Sequence, residues 1–404
     1  MTDASRPFIV SWNTTKRCNL ACGHCYLDSS ELTGADAVST VEANSFLDEI
    51  AELAPGCMLV LTGGEPLLRH DIFDISSRAA SLGLSPVLGT NGTLLTDEIV
   101  KRLTEAGIQG AGVSVDSLSP ALHDRVRGME GAWTKACGGI EALSASPIPF
   151  QLQFTVMKEN KEEVASFIDF AYSHGAKAVN FFFLVCTGRG QRSTDLSPVE
   201  YESVLRLIVQ KEEEYKGRIM VRARCAPHIV RIAGSVNNSS SLIKGGTSGC
   251  IAGDGYLRIS PEGFVTPCPY IPARADSPNL KSSSLKGIWD EDRDFVSLRA
   301  PRHKGRCGEC EYAQGCGGCR ARALATTGDL MNEDPWCAHE PVGNIIKEKS
   351  SAPAWSVEAE ERLKKAPAFI RPMIKKGLER YAAAKGIRVI TPELMAELRE
   401  KTGR

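Results

Sequence analysis

FIVSWNTTKRCNLACGHCY, residues 8–26, carries both a fold signal and a chemical one. Phe8-Ile9-Val10-Ser11-Trp12 is an apolar run of strand length, and Cys18, Cys22 and Cys25 follow it at CxxxCxxC spacing. Three thiolates on one loop behind a strand converge on one face of an iron–sulfur cube. A [4Fe–4S] cube has four irons, so three cysteines leave one without a protein ligand, and an open metal position suits catalysis rather than structure. Zinc is the alternative occupant; it would take a fourth ligand, and His24 is on offer for that role.

On either side of this loop and up to about residue 225, apolar runs alternate with amphipathic stretches: FIVSW, MLVLTG, PVLGTNG, GAGVSV, FQLQFTV and AVNFFFLV, each followed by a helix-like segment. One such helix reads in detail. Asn160 with Glu163 suggests a capping box, Val164, Phe167, Ile168 and Ala171 recur at helical spacing, and Gly175 supplies the stop. Crossovers of this length force parallel strands with helices outside. The α/β class follows, as a curved open barrel or a doubly wound sheet with its chemistry at the carboxyl ends of the strands.

The chain is 404 residues long, 42% hydrophobic and 24% charged, enough for two or three domains with buried cores. A formal net charge of −1 supplies no basic field for a phosphate backbone, which argues against a nucleic-acid partner. The N-terminal MTDASRPFIV has no secretion signal, and no stretch approaches the roughly 18 apolar residues of a membrane span. A cytoplasmic protein is expected. In that compartment 14 cysteines point to metal rather than to disulfides. Cys57, Cys137 and Cys186 stand alone and read as small buried hydrophobes. Cys250, Cys268, Cys307, Cys310, Cys316, Cys319 and Cys337 crowd a region rich in Gly and Pro that begins with the polar run SVNNSSS. A zinc ribbon is the structural alternative for that field. The expected boundaries are 1–235 for the barrel, 236–345 for the cysteine-rich region, and 346–404 for a polar linker and a small helical module with Leu363, Phe369, Ile370 and Met373 at helical spacing.

CxxxCxxC behind the first strand, with Tyr26 after its last cysteine, resembles the signature of the radical S-adenosylmethionine (radical SAM) superfamily, whose partial (β/α)6 TIM-type barrel fits the alternation above. Gly63-Gly64-Glu65-Pro66 at the end of MLVLT resembles the family's next motif; there glycine permits close backbone approach to a ligand and Glu65 can accept from the ammonium of the SAM methionine. By the same resemblance Thr90-Asn91-Gly92 and Ser114-Val115-Asp116 line the SAM ribose and methionine, and Arg127 is a candidate for the SAM carboxylate. The second cysteine field is similar to the SPASM extension, which carries one or two auxiliary [4Fe–4S] clusters. It departs from the family's CxxxC ending, because Cys316-Gly-Gly-Cys319 is one residue shorter. Carried over, the pattern gives one cluster to Cys307, Cys310, Cys316 and Cys337, and another to Cys250, Cys268 and Cys319. Cys225 or a substrate group would complete the second.

RCAPH (residues 224–228), FFFLVCTGRG with Gly188 and Arg189, and CGECEYAQGCGGCRARALATTGDL resemble the tetrapyrrole-tailoring branch, comprising haem synthase and the haem d1 enzymes. The tail from Trp355 is similar to the C-terminal domain of the protochlorophyllide reductase B subunit. These resemblances imply one-electron reduction of SAM, supplied by a donor such as a flavodoxin or ferredoxin, and a 5′-deoxyadenosyl radical that takes hydrogen from the substrate. They imply oxidative decarboxylation of propionates on an iron tetrapyrrole, with Cys225 and His228 as possible substrate or cluster contacts and with Arg189, Arg222 and Arg224 as possible partners of propionate carboxylates. Maturation of a ribosomally made peptide is the competing expectation, and a non-catalytic electron carrier the third.

Overall fold

A computed structural model describes residues 6–29, 32, 34–192, 196–236, 249–342, 353–366, 370–384 and 387–402. Most of the polar run after residue 236, nearly all of the linker at 343–352 and Phe369 lie outside the described residues. The chain forms two compact units: one comprises 1–196, 219–225 and 252–301, the other 197–218, 226–251 and 302–404.

The first unit is built on a nine-stranded sheet. Its strands are β1 (Ile9–Thr15), β2 (Met58–Gly63), β3 (Ser85–Thr90), β4 (Ala111–Ser114), β5 (Phe150–Val156), β6 (Ala178–Phe183), β7 (Met220–Arg224), β8 (Tyr256–Ile259) and β9 (Val265–Thr266), in the order β7-β6-β5-β4-β3-β2-β1-β8-β9. Every pair is parallel except β8 with β9. The six apolar runs supply β1 to β6, in the mainly parallel arrangement of a partial TIM-type barrel. A seventh strand extends one edge, and strands from downstream of residue 250 extend the other.

Alternation explains why the sheet has two different faces. On β1, Val10 and Trp12 are fully buried, with Trp12 packing on Phe46 of the helix Thr40–Leu53 at 5.9 Å. On β5 and β6, Phe154 and Phe181 meet Phe167 of the helix Val164–Ser173. These residues form the apolar layer between strands and helices. The intervening positions are polar and bond to one another: Asn180 donates to Gln151 (2.7 Å), Arg224 donates to Asn180 (3.0 Å), and Arg258 donates to Asn13.

The buried stripe Val164, Phe167, Ile168 and Ala171 is as the spacing predicts, and Gly175 at φ 80° follows the stop. The start of that helix differs. A 3-10 turn, Lys161–Glu163, precedes it, and no capping box forms. Asn160 instead donates to the carbonyls of Asp116 and Thr155, while Glu163 accepts from Ser117 and the Leu118 amide. Both side chains stitch the end of β4 to the β5 crossover, and that long-range demand outweighs the local cap.

The second unit holds the helices Pro198–Glu214, Ile229–Val236, Gly305–Glu309 and Arg320–Thr327. Its last part is a small module with its own core. Ala354–Trp355 pairs in parallel with Val389–Ile390, and the helices Val357–Lys364, Arg371–Ala384 and Pro392–Thr402 bury Ala359, Leu378, Ala382, Ile390, Leu394 and Leu398. The stripe Leu363, Ile370 and Met373 is only half-buried, because Leu363 lies on a separate helix from Met373. No helix among the described residues is long and apolar enough to cross a membrane.

Candidate active site

At the carboxyl end of β1 the register against β2 shifts between Asn13 and Thr15, and the chain turns into the three-cysteine loop. Cys18 and Cys22 are buried, and Cys25 packs with them. Three neighbours clamp the loop. The Gly63-Gly64 pair lies against it so closely that a Cβ on Gly64 would sit 2.1 Å from the Arg17 carbonyl oxygen, and one on Gly63 would sit 2.5 Å from that of Thr15. Gly64 and Glu65 donate their amides to those two carbonyls (2.9 and 2.8 Å). These glycines therefore serve close approach of backbone to backbone. Residues 126–127 supply the second clamp, accepting from the amides of Ala21 and Gly23. Arg189 is the third: Nε donates to the Cys22 carbonyl (2.8 Å), Nη2 to that of Ser29 (2.7 Å), and Nη1 to Asp28 (2.8 Å). Gly188 at φ 56° leaves room for the Cys25 and Tyr26 carbonyls.

Glu65 is fully buried and links strand ends. Its carboxylate accepts from the Thr90 hydroxyl (2.9 Å) and from the amides of Asn91 (2.9 Å) and Leu67 (3.2 Å). Burial pushes its carboxyl up to about 7, against the pull of those donors. Asn91 also donates to Asn19 on the cysteine loop and lies 4.0 Å from Cys18 Sγ.

Asp116, just past β4 and Ser114, is fully buried and faces the same loop. Arg127 Nη2 lies 2.8 Å from it, His24 Nε2 lies 3.4 Å away, and the Thr155 amide donates to it. Burial raises the Asp116 carboxyl, but Arg127 and His24 outweigh that and hold it below the usual carboxylate range. The other guanidinium nitrogen of Arg127 donates toward Cys22 Sγ at 3.8 Å. Tyr26 accepts from Asn13 Nδ2 (2.8 Å) and meets Tyr270 edge-on at 5.3 Å.

The thiols fit a cluster by their company rather than by acidity. Burial pushes Cys18 up to about 12, but it does the same to the isolated Cys57, which has no such neighbours. What separates Cys18 and Cys22 is donors brought from elsewhere in the fold, Asn91 Nδ2 at 4.0 Å from Cys18 Sγ beside the Leu20 amide at 3.4 Å, and Arg127 at 3.8 Å from Cys22 Sγ, whereas among the described residues the Cys57 sulfur meets only its own backbone amide. Donors of this kind stabilise cluster thiolates.

In the second unit Cys307, Cys310, Cys316 and Cys337 line one cavity together with His228, Arg231 and Asp334. Their sulfurs also receive N–H donors: Asp334 and Arg320 on Cys307, Tyr312 on Cys310, and Gly318 on Cys316. Asp334 is buried and organises the floor, accepting from the Cys319 amide (2.7 Å) and Arg322 (2.8 Å), with His228 Nε2 at 3.5 Å. His228 is no surface residue. Burial lowers it to about 4, so it is neutral, and its other ring nitrogen meets Tyr201 (3.0 Å). Of the other three cysteines, Cys268 belongs to the first unit, and Cys250 and Cys319 to the second; Cys225 closes β7 with φ 57°. Asn13 and Asp334 carry part of this geometry, and no sequence motif marks them.

The arrangement is that of an enzyme which cleaves SAM at an iron–sulfur centre. The chain belongs to the radical SAM superfamily, whose pattern matches residues 12–171, and it carries the iron–sulfur cluster-binding SPASM domain, matched over 250–320. Residues 355–399 match the proto-chlorophyllide reductase 57 kD subunit. The AdoMet-dependent heme synthase of Methanosarcina barkeri is 41% identical over 350 residues, covering 84% of this chain and 98% of that protein. The PqqA peptide cyclase of Rhizobium meliloti is 27% identical, covering 86% of this chain and 92% of that one. The fold is shared with the crystal structure of Streptococcus suis SuiB bound to S-adenosylmethionine, at a TM-score of 0.67 and 16% identity over 83% of this chain and 78% of that one.

Proposed function

We propose that this enzyme acts in haem biosynthesis, oxidatively decarboxylating propionate side chains of an iron tetrapyrrole. The observation that carries the reading is the 41% identity to a heme synthase along nearly that protein's whole length. When bound, a [4Fe–4S] cluster supplies the electron that cleaves SAM and so generates the 5′-deoxyadenosyl radical. Cys18, Cys22 and Cys25 would hold it. Glu65 would accept from the SAM ammonium, at a position fixed by Thr90 and Asn91. Gly63, Gly64 and Pro66 shape that turn, while Ser114 would line the methionine. Asp116 acts by holding Arg127, whose guanidinium stands next to the Cys22 sulfur. Arg189 keeps the loop in place and is committed there rather than to a propionate.

Conversion of a propionate to a vinyl group removes one hydrogen atom, carbon dioxide and one further electron, so the site needs an exit for that electron. Cys307, Cys310, Cys316 and Cys337 form a complete set of four ligands for an auxiliary cluster suited to that task. Cys250, Cys268 and Cys319 would serve a second, its fourth ligand Cys225 or the substrate. The division at 235 and 345, a cytoplasmic location, and a flavodoxin or ferredoxin as electron donor complete the reading.

The test is anaerobic turnover of the reconstituted chain with iron coproporphyrin III, SAM and a reductant. Deoxyadenosine should form together with vinyl product. Deoxyadenosine without change in the tetrapyrrole would overturn the reading. The similarity to a peptide cyclase supports peptide maturation as the second reading, which a modified precursor peptide would establish.

A further inference from the structure

On β8, Leu257 and Ile259 are fully buried on the apolar face, and the alternation puts Tyr256 and Arg258 on the polar one. Arg258 is only 6% exposed. Other buried arginines have their charge met. Arg69 pairs with Asp71, Arg127 with Asp116, Arg231 with Glu202 and Arg322 with Asp334, while Arg320 donates to the carbonyls of Leu330 and Asn332. Arg258 differs. Among the described residues no carboxylate lies within ion-pair distance, and its one hydrogen bond runs from Nε to Asn13 Oδ1. Nη1 and Nη2 have no protein acceptor there. Taking a guanidinium out of water without a counter-charge costs several kcal/mol, and removing a bidentate fork from its natural partner leaves that cost standing.

The surroundings say what the missing partner is. Asn13 connects Arg258 to Tyr26, the residue after the last cluster cysteine, and Tyr26 meets Tyr270 edge-on. Tyr256 and Tyr26 both feel the charge of Arg258. A planar cationic fork beside a group of tyrosines fits a carboxylate carried on a flat, conjugated ring. The residues proposed to contact SAM, Glu65, Thr90, Asn91 and Ser114, lie at the ends of β2, β3 and β4, whereas β8 lies across β1 from β2. That separation assigns the anion to the substrate rather than to SAM.

We propose that Arg258 is the specificity-determining anchor for a substrate carboxylate, one propionate of the tetrapyrrole; the inference rests on the function proposed above. The experiment uses the full chain with its clusters reconstituted, as wild type, Arg258→Met and Arg258→Lys. Binding of iron coproporphyrin III, of its uncharged tetra-amide and of SAM is measured by titration, together with iron content. Arg258→Met should bind the tetracarboxylate about 30-fold more weakly or worse, as expected for loss of a buried charge pair. It should bind the tetra-amide as the wild type does, with SAM affinity and iron content unchanged. Arg258→Lys keeps the charge without the fork and should recover part of the affinity. Unchanged affinity in Arg258→Met, equal loss for acid and amide, loss of SAM affinity, or loss of iron from both variants would overturn the anchor. If the wild type binds no iron coproporphyrin, the tetrapyrrole reading falls, and the anchor with it.

Discussion

The two cysteine sites are built in opposite ways. Cys18, Cys22 and Cys25 sit on a loop that continues a parallel sheet and is held by backbone contacts from Gly63, Gly64 and residues 126–127. Cys307 sits on the short helix Gly305–Glu309 and Cys310, Cys316 and Cys337 on irregular segments after it, gathered over a buried ion-pair floor of Asp334, Arg322 and His228. The first offers three thiols and the second four. A barrel rim already fixed by hydrogen bonds can afford an open coordination position, whereas a region with a small apolar core gains stability from a closed one.

Substitutions at each site separate the two designs. The largest effect is expected at the second site. Cys307→Ser with Cys316→Ser should remove about four irons per chain and abolish tetrapyrrole turnover while SAM cleavage persists; iron analysis and deoxyadenosine assays check this. Next, Asp334→Ala leaves Arg322 buried without its counter-charge and should cost about 3–5 kcal/mol, read as a lower midpoint in denaturant melts of the reconstituted chain. Gly64→Ala should cost about 3 kcal/mol by driving a methyl group into the Arg17 carbonyl, and iron should be lost selectively at the first site.

The smallest effect concerns Glu65. Its carboxyl stands at about 7 in the folded chain, above its ordinary 4.5. A raised acid favours the protonated folded state, so its contribution to stability is full below 4.5, declines as pH rises, and levels off above about 7. Accepting from the SAM ammonium requires the carboxylate, so binding must expel a proton below about pH 7. SAM affinity of the wild type should fall by up to about tenfold per pH unit below that point. Glu65→Gln should bind more weakly at pH 8 and show no such slope; a slope retained in that variant would contradict the assignment.

The strands legible in the sequence are those whose apolar face is continuous. β1, β2, β3, β5 and β6 each contain adjacent or alternating Val, Leu, Ile or Phe, β4 has only Val113 between small residues, and each falls where its run predicts. β7 and β8 were hidden by their inward arginines: Arg222 and Arg224 interrupt the first, and Arg258 the second. The polar inner face that conceals these strands carries the bonds of Arg224 to Asn180 and of Arg258 to Asn13. The cluster loop was legible because thiol spacing is set by the cube itself. The clamps on that loop were not, since Arg189 and residues 126–127 lie far from it in the sequence and meet it only in the fold. Asn160 shows the converse, where a good local capping signal yields to a bond across the barrel rim.

Cluster and SAM binding at the first loop are separable from those of the second site by spectroscopy. Wild type and the Cys18→Ala, Cys22→Ala, Cys25→Ala triple variant are reconstituted anaerobically, reduced, and examined by electron paramagnetic resonance with and without SAM, with deoxyadenosine quantified in parallel. The wild type should show a [4Fe–4S] signal that SAM perturbs, and deoxyadenosine should form. The triple variant should retain only signals indifferent to SAM and form none. A signal in the triple variant that still responds to SAM, with deoxyadenosine at the wild-type rate, would contradict the account.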